Sequence, residues 1–205
     1  AKGQSAAAKL QQEGLSASVV ALEVTQQASI EAAARKIEQD FGRLDILINN
    51  AGVVLYGQDG TASSTSQKAL RETFDINFFG LVAVTQAFLP LLKKSPSGRI
   101  VNLSSVLGSI AEHADPNSSI HNAKFTAYDA SKAAVNMYTN HLAYELRGTN
   151  LKVNAAHPGW VKTDMGGPDA TLEIEDGAKT SVELALLPDT GPSGGFYHIG
   201  VHMRW

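Results

Sequence analysis

Tyr128 and Lys132 stand four residues apart in TAYDASKAAVNMYTNHLAYEL (126–146), a stretch that reads as an amphipathic helix. In a helix, that spacing puts the phenol and the ammonium on one face, one turn apart, where both heads can meet one ligand. An unperturbed phenol, with a pKa near 10, transfers protons poorly at neutral pH, and a nearby ammonium favours the phenolate and lowers that value. The expectation is that Lys132 tunes Tyr128 for proton transfer. The small residues Ala130, Ser131, Ala133 and Ala134 allow this helix close approach to a ligand and to a sheet.

Three apolar runs end in residues that core packing does not ask for. ILINNAG closes on Asn49, Asn50, Ala51 and Gly52; IVNLSS closes on Ser104 and Ser105; NAAHPG closes on His157, Pro158 and Gly159, followed by WVKT. Asn77 lies inside an apolar helical stretch, in DINFFG, where an amide is out of place unless it bonds across to another element. Buried amides need partners, and glycine lets backbone come close to something else.

The elements that would carry these residues alternate along the chain. Residues 4–13 favour a helix that Gly14 stops, and SVVALEV (18–24) reads as a buried strand. Ile30, Ala33, Ala34, Ile37 and Phe41 mark the stripe of a helix packed on a sheet. LDILINNAG (44–52), GRIVNLSS (98–105), LKVNAAHPG (151–159) and GGFYHIG (194–200) read as further strands. Helices are expected through LRETFDINFFGLVAVTQAFLPLL, from Tyr128 onward, and near 170–187. Such alternation predicts one α/β domain over 1–205, a parallel sheet with helices on both faces. Ligands of such sheets sit beyond the carboxyl ends of the strands, where the unusual residues fall.

In this order, Asn49-Asn50-Ala51-Gly52, Asn77, Ser105, Tyr128-Asp129-Ala130-Ser131-Lys132 and Pro158-Gly159 with Val161 and Thr163 resemble the short-chain dehydrogenase/reductase family of the Tyr-x-x-x-Lys type. A lone Tyr-x-x-x-Lys is weak; the ordered set spans nearly the whole chain and is specific. The resemblance implies a Rossmann-type fold and hydride transfer between a nicotinamide and a carbonyl or secondary alcohol. It implies Tyr128 as general acid/base, Ser105 holding the carbonyl oxygen, Lys132 on the nicotinamide ribose, and Asn77 anchoring a water in the proton path. Asn50, Ala51, Gly52, Glu23, Val24, Pro158, Gly159, Val161 and Thr163 would line the cofactor groove. At Glu23 the family usually has Asp beside the adenine. The polar stretch AEHADPNSSIHNAKFTA and the PSGGFYHIG ending are similar to carbonyl reductase-like members, which favours NADP(H) over NAD(H).

The family's glycine-rich Thr-Gly-x-x-x-Gly-x-Gly turn has no counterpart here, since no two glycines are separated by a single residue. The sequence is therefore expected to be an N-terminally truncated copy lacking the first two strands, roughly 30 to 45 residues, of a longer enzyme. The alternative is a naturally shortened, non-catalytic chain that has lost cofactor binding and acts by protein contact. An extended sugar-nucleotide epimerase is disfavoured by Asn-Asn-Ala-Gly and the short C-terminal region.

A net charge of −3 and pI near 6.1 offer no basic field for nucleic acid or anionic lipid. There is no cysteine for disulfide or thiolate chemistry; AKGQSAAAKL, lacking an apolar core, does not read as a signal peptide, and no apolar run of membrane-spanning length is expected. A cytoplasmic protein acting on a small carbonyl or alcohol is expected, as a monomer or as a homo-oligomer paired through the Tyr128 helix. No metal site is expected: His198 and His202 are four apart, but Gly200 and a strand assignment argue against ligation. His157 is expected to be a structural corner.

Overall fold

The apolar runs pair as one sheet in the order β1-β2-β3-β4-β5, in a computed structural model that describes residues 2–205. β1 (Ile46–Asn49), β2 (Arg99–Leu103), β3 (Lys152–Ala156) and β4 (Phe196–His198) are parallel. β2 is buried at every position, as a strand covered on both faces must be.

The helices are α1 (Lys2–Gln12), α2 (Gln27–Phe41), α3 (Gln67–Phe74), α4 (Leu81–Leu92), α5 (Ile110–Ala114), α6 (Thr126–Glu145) and α7 (Ile174–Ala185). On one face of the sheet, Ile30 and Ala33 of α2, Val84, Phe88 and Leu91 of α4, and Leu142 and Ala143 of α6 meet Ile100 and Val153. On the other face, Leu184 and Ala185 of α7 meet Val101, Leu103 and Ala156. Ile100 and Val101 thus point to opposite faces, the period of two expected of a strand.

A buried polar row runs through the first of these cores. Asn49 Nδ2 donates to Thr85 Oγ1 at 2.9 Å and to Asn102 Oδ1 at 2.8 Å, and Asn102 Nδ2 donates to Thr139 Oγ1 at 2.9 Å. Each threonine discharges its own proton into its helix, on Leu81 O and Val135 O. Asn49 and Asn102 are register partners in the sheet, so one row ties β1 and β2 to α4 and α6.

Three expectations are corrected. Residues 18–24 form no strand. Among the described residues β1 is the sheet's edge and bonds only β2, so no neighbouring strand stands beside it to pair an extended SVVALEV backbone. Val20 and Val24 pack instead against the α2–α4 core. The sheet is mixed rather than purely parallel: Ile199 (φ 44°) and Gly200 (φ 72°) form a two-residue turn that sends β5 (Val201–His202) back antiparallel on β4. Finally, the continuous run Gln67–Leu92 is, by length and composition, a helix apolar enough to cross a membrane, although no run of that kind was expected. Here it packs on β1, α2 and α6. Its middle, Asp75–Gly80, is a π-helical segment, also unforeseen.

Candidate active site

Three residues beyond the paired Asn49 and Asn102, β1 and β2 deliver Gly52 and Ser105 to the same edge of the sheet. A single turn of 3₁₀ helix, Val106–Gly108, follows Ser105, whose Oγ caps it by accepting from Leu107 N at 3.2 Å. Gly108 then lies flat on α6: a Cβ there would be 2.6 Å from the Lys132 carbonyl carbon and 2.8 Å from Lys132 Cβ. Only glycine permits that approach, and it brings Ser105 close enough to Tyr128 for the serine hydroxyl to stabilise a phenolate there.

Tyr128 is 8% exposed and Lys132 4%. Lys132 Nζ lies 5.6 Å from the centre of the Tyr128 ring and donates to Leu103 O at 2.7 Å. A Cβ on Gly52 would stand 3.5 Å from the same Nζ. The ammonium thus reaches past the phenol toward the Gly52 turn with donors still unspent. Tyr128 and Lys132 share one face of α6, as their spacing predicted, and Ser105 lies near them.

The electrostatics differ from the expectation. Loss of hydration on burial pushes the Tyr128 phenol up to about 12, against the Ser105 hydrogen bond, with Tyr56 and Asp129 adding to the rise. Burial outweighs the pull expected of Lys132. Its own pKa falls to about 8 through the same desolvation. Tyr128 is therefore held protonated at neutral pH.

Asn77 is fully buried in the π-helical segment, a distortion that recurs at functional sites. Its Oδ1 accepts from Val53 N at 2.8 Å, and its Nδ2 donates to Val53 O and to Ser131 Oγ, both at 3.0 Å. The side chain thus clamps the peptide after Gly52 and the helix of Tyr128. Both amide hydrogens are spent on protein, so its visible work is to hold the turn.

Asn50 and Ala51 are exposed at the end of β1, beside Gly52. Pro158 and Gly159 follow β3; Gly159 has φ +87°, and a Cβ there would strike Leu172 Cδ1. The side chain of Val161 packs under Gly177 of α7. Thr163 shapes a turn, its Oγ1 accepting from Gly166 N at 3.1 Å. Glu23 is exposed and folds back onto Thr25, while Val24 lies against Gly80. Among the described residues no hydrogen bond ties Glu23 or Thr163 to the Tyr128 group.

Several supporting residues make bonds that the sequence did not foretell. Ser131 Oγ donates to Tyr128 O at 2.7 Å while accepting from Asn77. Ser104 Oγ donates to Asn136 Oδ1 at 2.5 Å, tying β2 to α6. His157, expected as a corner, uses Nδ1 to accept from Val106 N at 3.3 Å and Gly159 N at 3.4 Å, linking the Ser105 turn to the Pro158 turn. Burial, with His198 nearby, depresses its pKa to about 3, so the ring stays neutral and able to accept. His198 spends Nδ1 on His157 O at 2.9 Å. Serine after a strand and histidine before Pro-Gly were visible signals; their partners were not.

The residues present fit the nicotinamide end of a dinucleotide. The glycine cradle at residue 52 is open to Lys132 Nζ, and an ammonium with unspent donors suits the hydroxyls of a ribose.

Residues 1–172 match the family model described as short chain dehydrogenase. The chain is 35% identical over 240 residues to carbonyl reductase [NADPH] 1 of Mus musculus, covering 95% of this chain and 82% of that protein. The crystal structure of NADPH-bound carbonyl reductase from chicken fatty liver superposes with a TM-score of 0.83 at 33% identity, over 97% of this chain and 81% of that one. Salutaridine reductase from Papaver somniferum gives a TM-score of 0.79 at 30% identity, over 96% and 87%.

Proposed function

The chain belongs to the short-chain dehydrogenase family of oxidoreductases, and from that premise we propose that it reduces small-molecule aldehydes or ketones with NADPH, Tyr128 giving the proton. One observation carries the reading: the Lys132 ammonium lies 5.6 Å from the centre of the Tyr128 ring, both buried near Ser105 at the carboxyl ends of the central strands. The NADPH in the names of its relatives supports that cofactor over NADH.

Bound NADPH supplies a hydride from its nicotinamide. The chain supplies everything else. Ser105 and Tyr128 present two hydroxyls at one point, where a carbonyl oxygen can accept from both. A phenol kept near pKa 12 gives up no proton to water at neutral pH, but an oxygen becoming an alkoxide is basic enough to take it. The phenolate left behind faces the Lys132 ammonium, whose attraction is strongest in this dry setting. Lys132 therefore acts on the charge that appears during the reaction rather than on the resting phenol, which is what accelerates a step. Its remaining donors, near Gly52, are placed for the ribose hydroxyls. The Asn77 clamp on Val53 and the His157 link between turns hold the walls.

Titration with NADPH, read by nicotinamide fluorescence, and turnover on a panel of aldehydes and ketones test this. Saturable binding with turnover is expected. Neither binding nor turnover would favour the non-catalytic alternative and end the proposal.

A further inference from the structure

The helix that carries Tyr128 caps itself only in part: Asp129 Oδ2 reaches back to accept from Phe125 N at 3.0 Å, but this leaves the N–H groups of the first turn unserved. Phe125, just before α6, has no side-chain acceptor to offer the first turn. Those orphan N–H groups still need partners. They find them on a loop more than sixty residues away in sequence. Ala127 N donates to Asp59 Oδ1 and Tyr128 N to Asp59 Oδ2, both at 2.9 Å, and Thr126 N donates to Gly60 O at 3.2 Å. Only at Asp129 N, bonded to Phe125 O at 2.8 Å, does the helix's own ladder begin.

The carboxylate is itself held. Asp59 N bonds Leu55 O at 2.9 Å, and Thr65 Oγ1 donates to Asp59 Oδ1 at 3.3 Å. The same loop begins at Gly52, the cofactor-side turn, where Asn77 grips both polar groups of Val53. It is also pinned midway: Tyr56 packs edge-on to Phe125, with ring centres 5.8 Å apart, and its hydroxyl donates to Met165 O at 3.0 Å. One stretch, 52–60, therefore reaches from the Gly52 turn to the peptide nitrogen of the proton donor.

We propose that Asp59 is a positioning residue for Tyr128: its two carboxylate oxygens, on the Ala127 and Tyr128 amides, fix where the phenol stands relative to Ser105 and the Gly52 turn. An anionic acceptor at a helix N-terminus is favoured by the helix dipole as well as by the two charge-assisted bonds. A backbone shift of about 1 Å at Tyr128 is enough to cost on the order of 10²-fold in rate. This inference rests on the oxidoreductase reading above.

The test uses the full chain as Asp59→Ala and Asp59→Asn, assayed with NADPH and a carbonyl substrate of the unaltered protein. Amide hydrogen exchange at Ala127 and Tyr128 is followed in parallel. Asp59→Ala is expected to lower kcat by roughly 10-fold or more and leave KM for NADPH within about twofold. Exchange at the two amides should quicken. Asp59→Asn, which keeps one carbonyl oxygen, should recover part of both effects. A purely structural cap would lower the melting temperature and leave kcat per folded molecule unchanged; that result overturns the proposal, as does unaltered exchange. If Asp59→Ala does not fold, the same split is read on Asp59→Asn. An unaltered protein without carbonyl turnover refutes the oxidoreductase reading itself, and the inference falls with it.

Discussion

Substituting Gly108 by alanine probes the contact that brings Ser105 to Tyr128. The added Cβ would sit 2.6 Å from the Lys132 carbonyl carbon, 2.8 Å from Lys132 Cβ and 2.9 Å from Ala133 N. All three atoms belong to α6 close to its axis, so no flexible side-chain end can swing aside. Ordinary contact begins at 3.4 Å, and the two elements must part by roughly 0.8 Å. Overpacking of this kind destabilises by about 1–3 kcal/mol. Because Ser105 caps the turn that holds Gly108 while Tyr128 and Lys132 share α6, the displacement moves Ser105 away from Tyr128 directly. A misplacement approaching 1 Å at reacting groups lowers turnover by about 10²-fold. Gly108→Ala should therefore lose both stability and kcat, with NADPH affinity changed far less. Thermal melting, steady-state NADPH oxidation and fluorescence titration read the three quantities separately. An alanine variant with unchanged kcat and unchanged melting temperature would refute the account of how the two elements meet.

Tyr128→Phe should lower turnover by about two to four orders of magnitude while NADPH affinity stays nearly constant; near-normal turnover would remove Tyr128 from proton transfer. Lys132 has a folded pKa of about 8 against 10.5 unfolded, so between those values the unfolded chain binds more protons. Its contribution to stability should rise with pH through that window, a rise that Lys132→Met abolishes in urea melts at successive pH values. Asp129, with a folded pKa of about 6 against 3.8, works in the opposite sense. Its stabilising contribution is present below pH 4 and lost as pH rises through 6, so Asp129→Asn should flatten the stability profile there. Asn102→Leu removes the acceptor of Asn49 and the donor to Thr139, and should shift the urea unfolding free energy by about 2 kcal/mol or more; a neutral result would mean the polar row adds nothing.

Much of this was legible because periodicity reports burial. RIVNL and KVNAA lack a polar face and are the central strands, and the Ile30–Phe41 stripe is the buried side of α2. The pairing of Tyr128 with Lys132 was legible because a helix converts a spacing of four into a shared face. What failed depended on partners. Val19, Val20 and Leu22 favour a strand, but propensity cannot say whether a neighbouring strand stands ready to bond it. Spacing placed Lys132 beside Tyr128 yet said nothing of how dry both would be, and dryness sets the direction of the phenol's shift. The π-helical segment has no hydrophobic signature; Asn77 in an apolar run was its only trace. Asp59 was invisible because its partners lie across the chain, although a helix opening on Phe125 already signalled a missing cap.

The amide row beneath the site has a further consequence. Asn49 and Asn102 each lie three residues below a wall of the cleft, at Gly52 and Ser105, and a slip of either strand by one position would strand their amides without acceptors in an oily interior. The relative height of the two walls is thereby settled in the core, out of reach of whatever the surface loops do. Residues 116–124, which lie outside that row and outside the Asp59 loop, can therefore vary in length and character while Gly52 and Ser105 keep the same relative height.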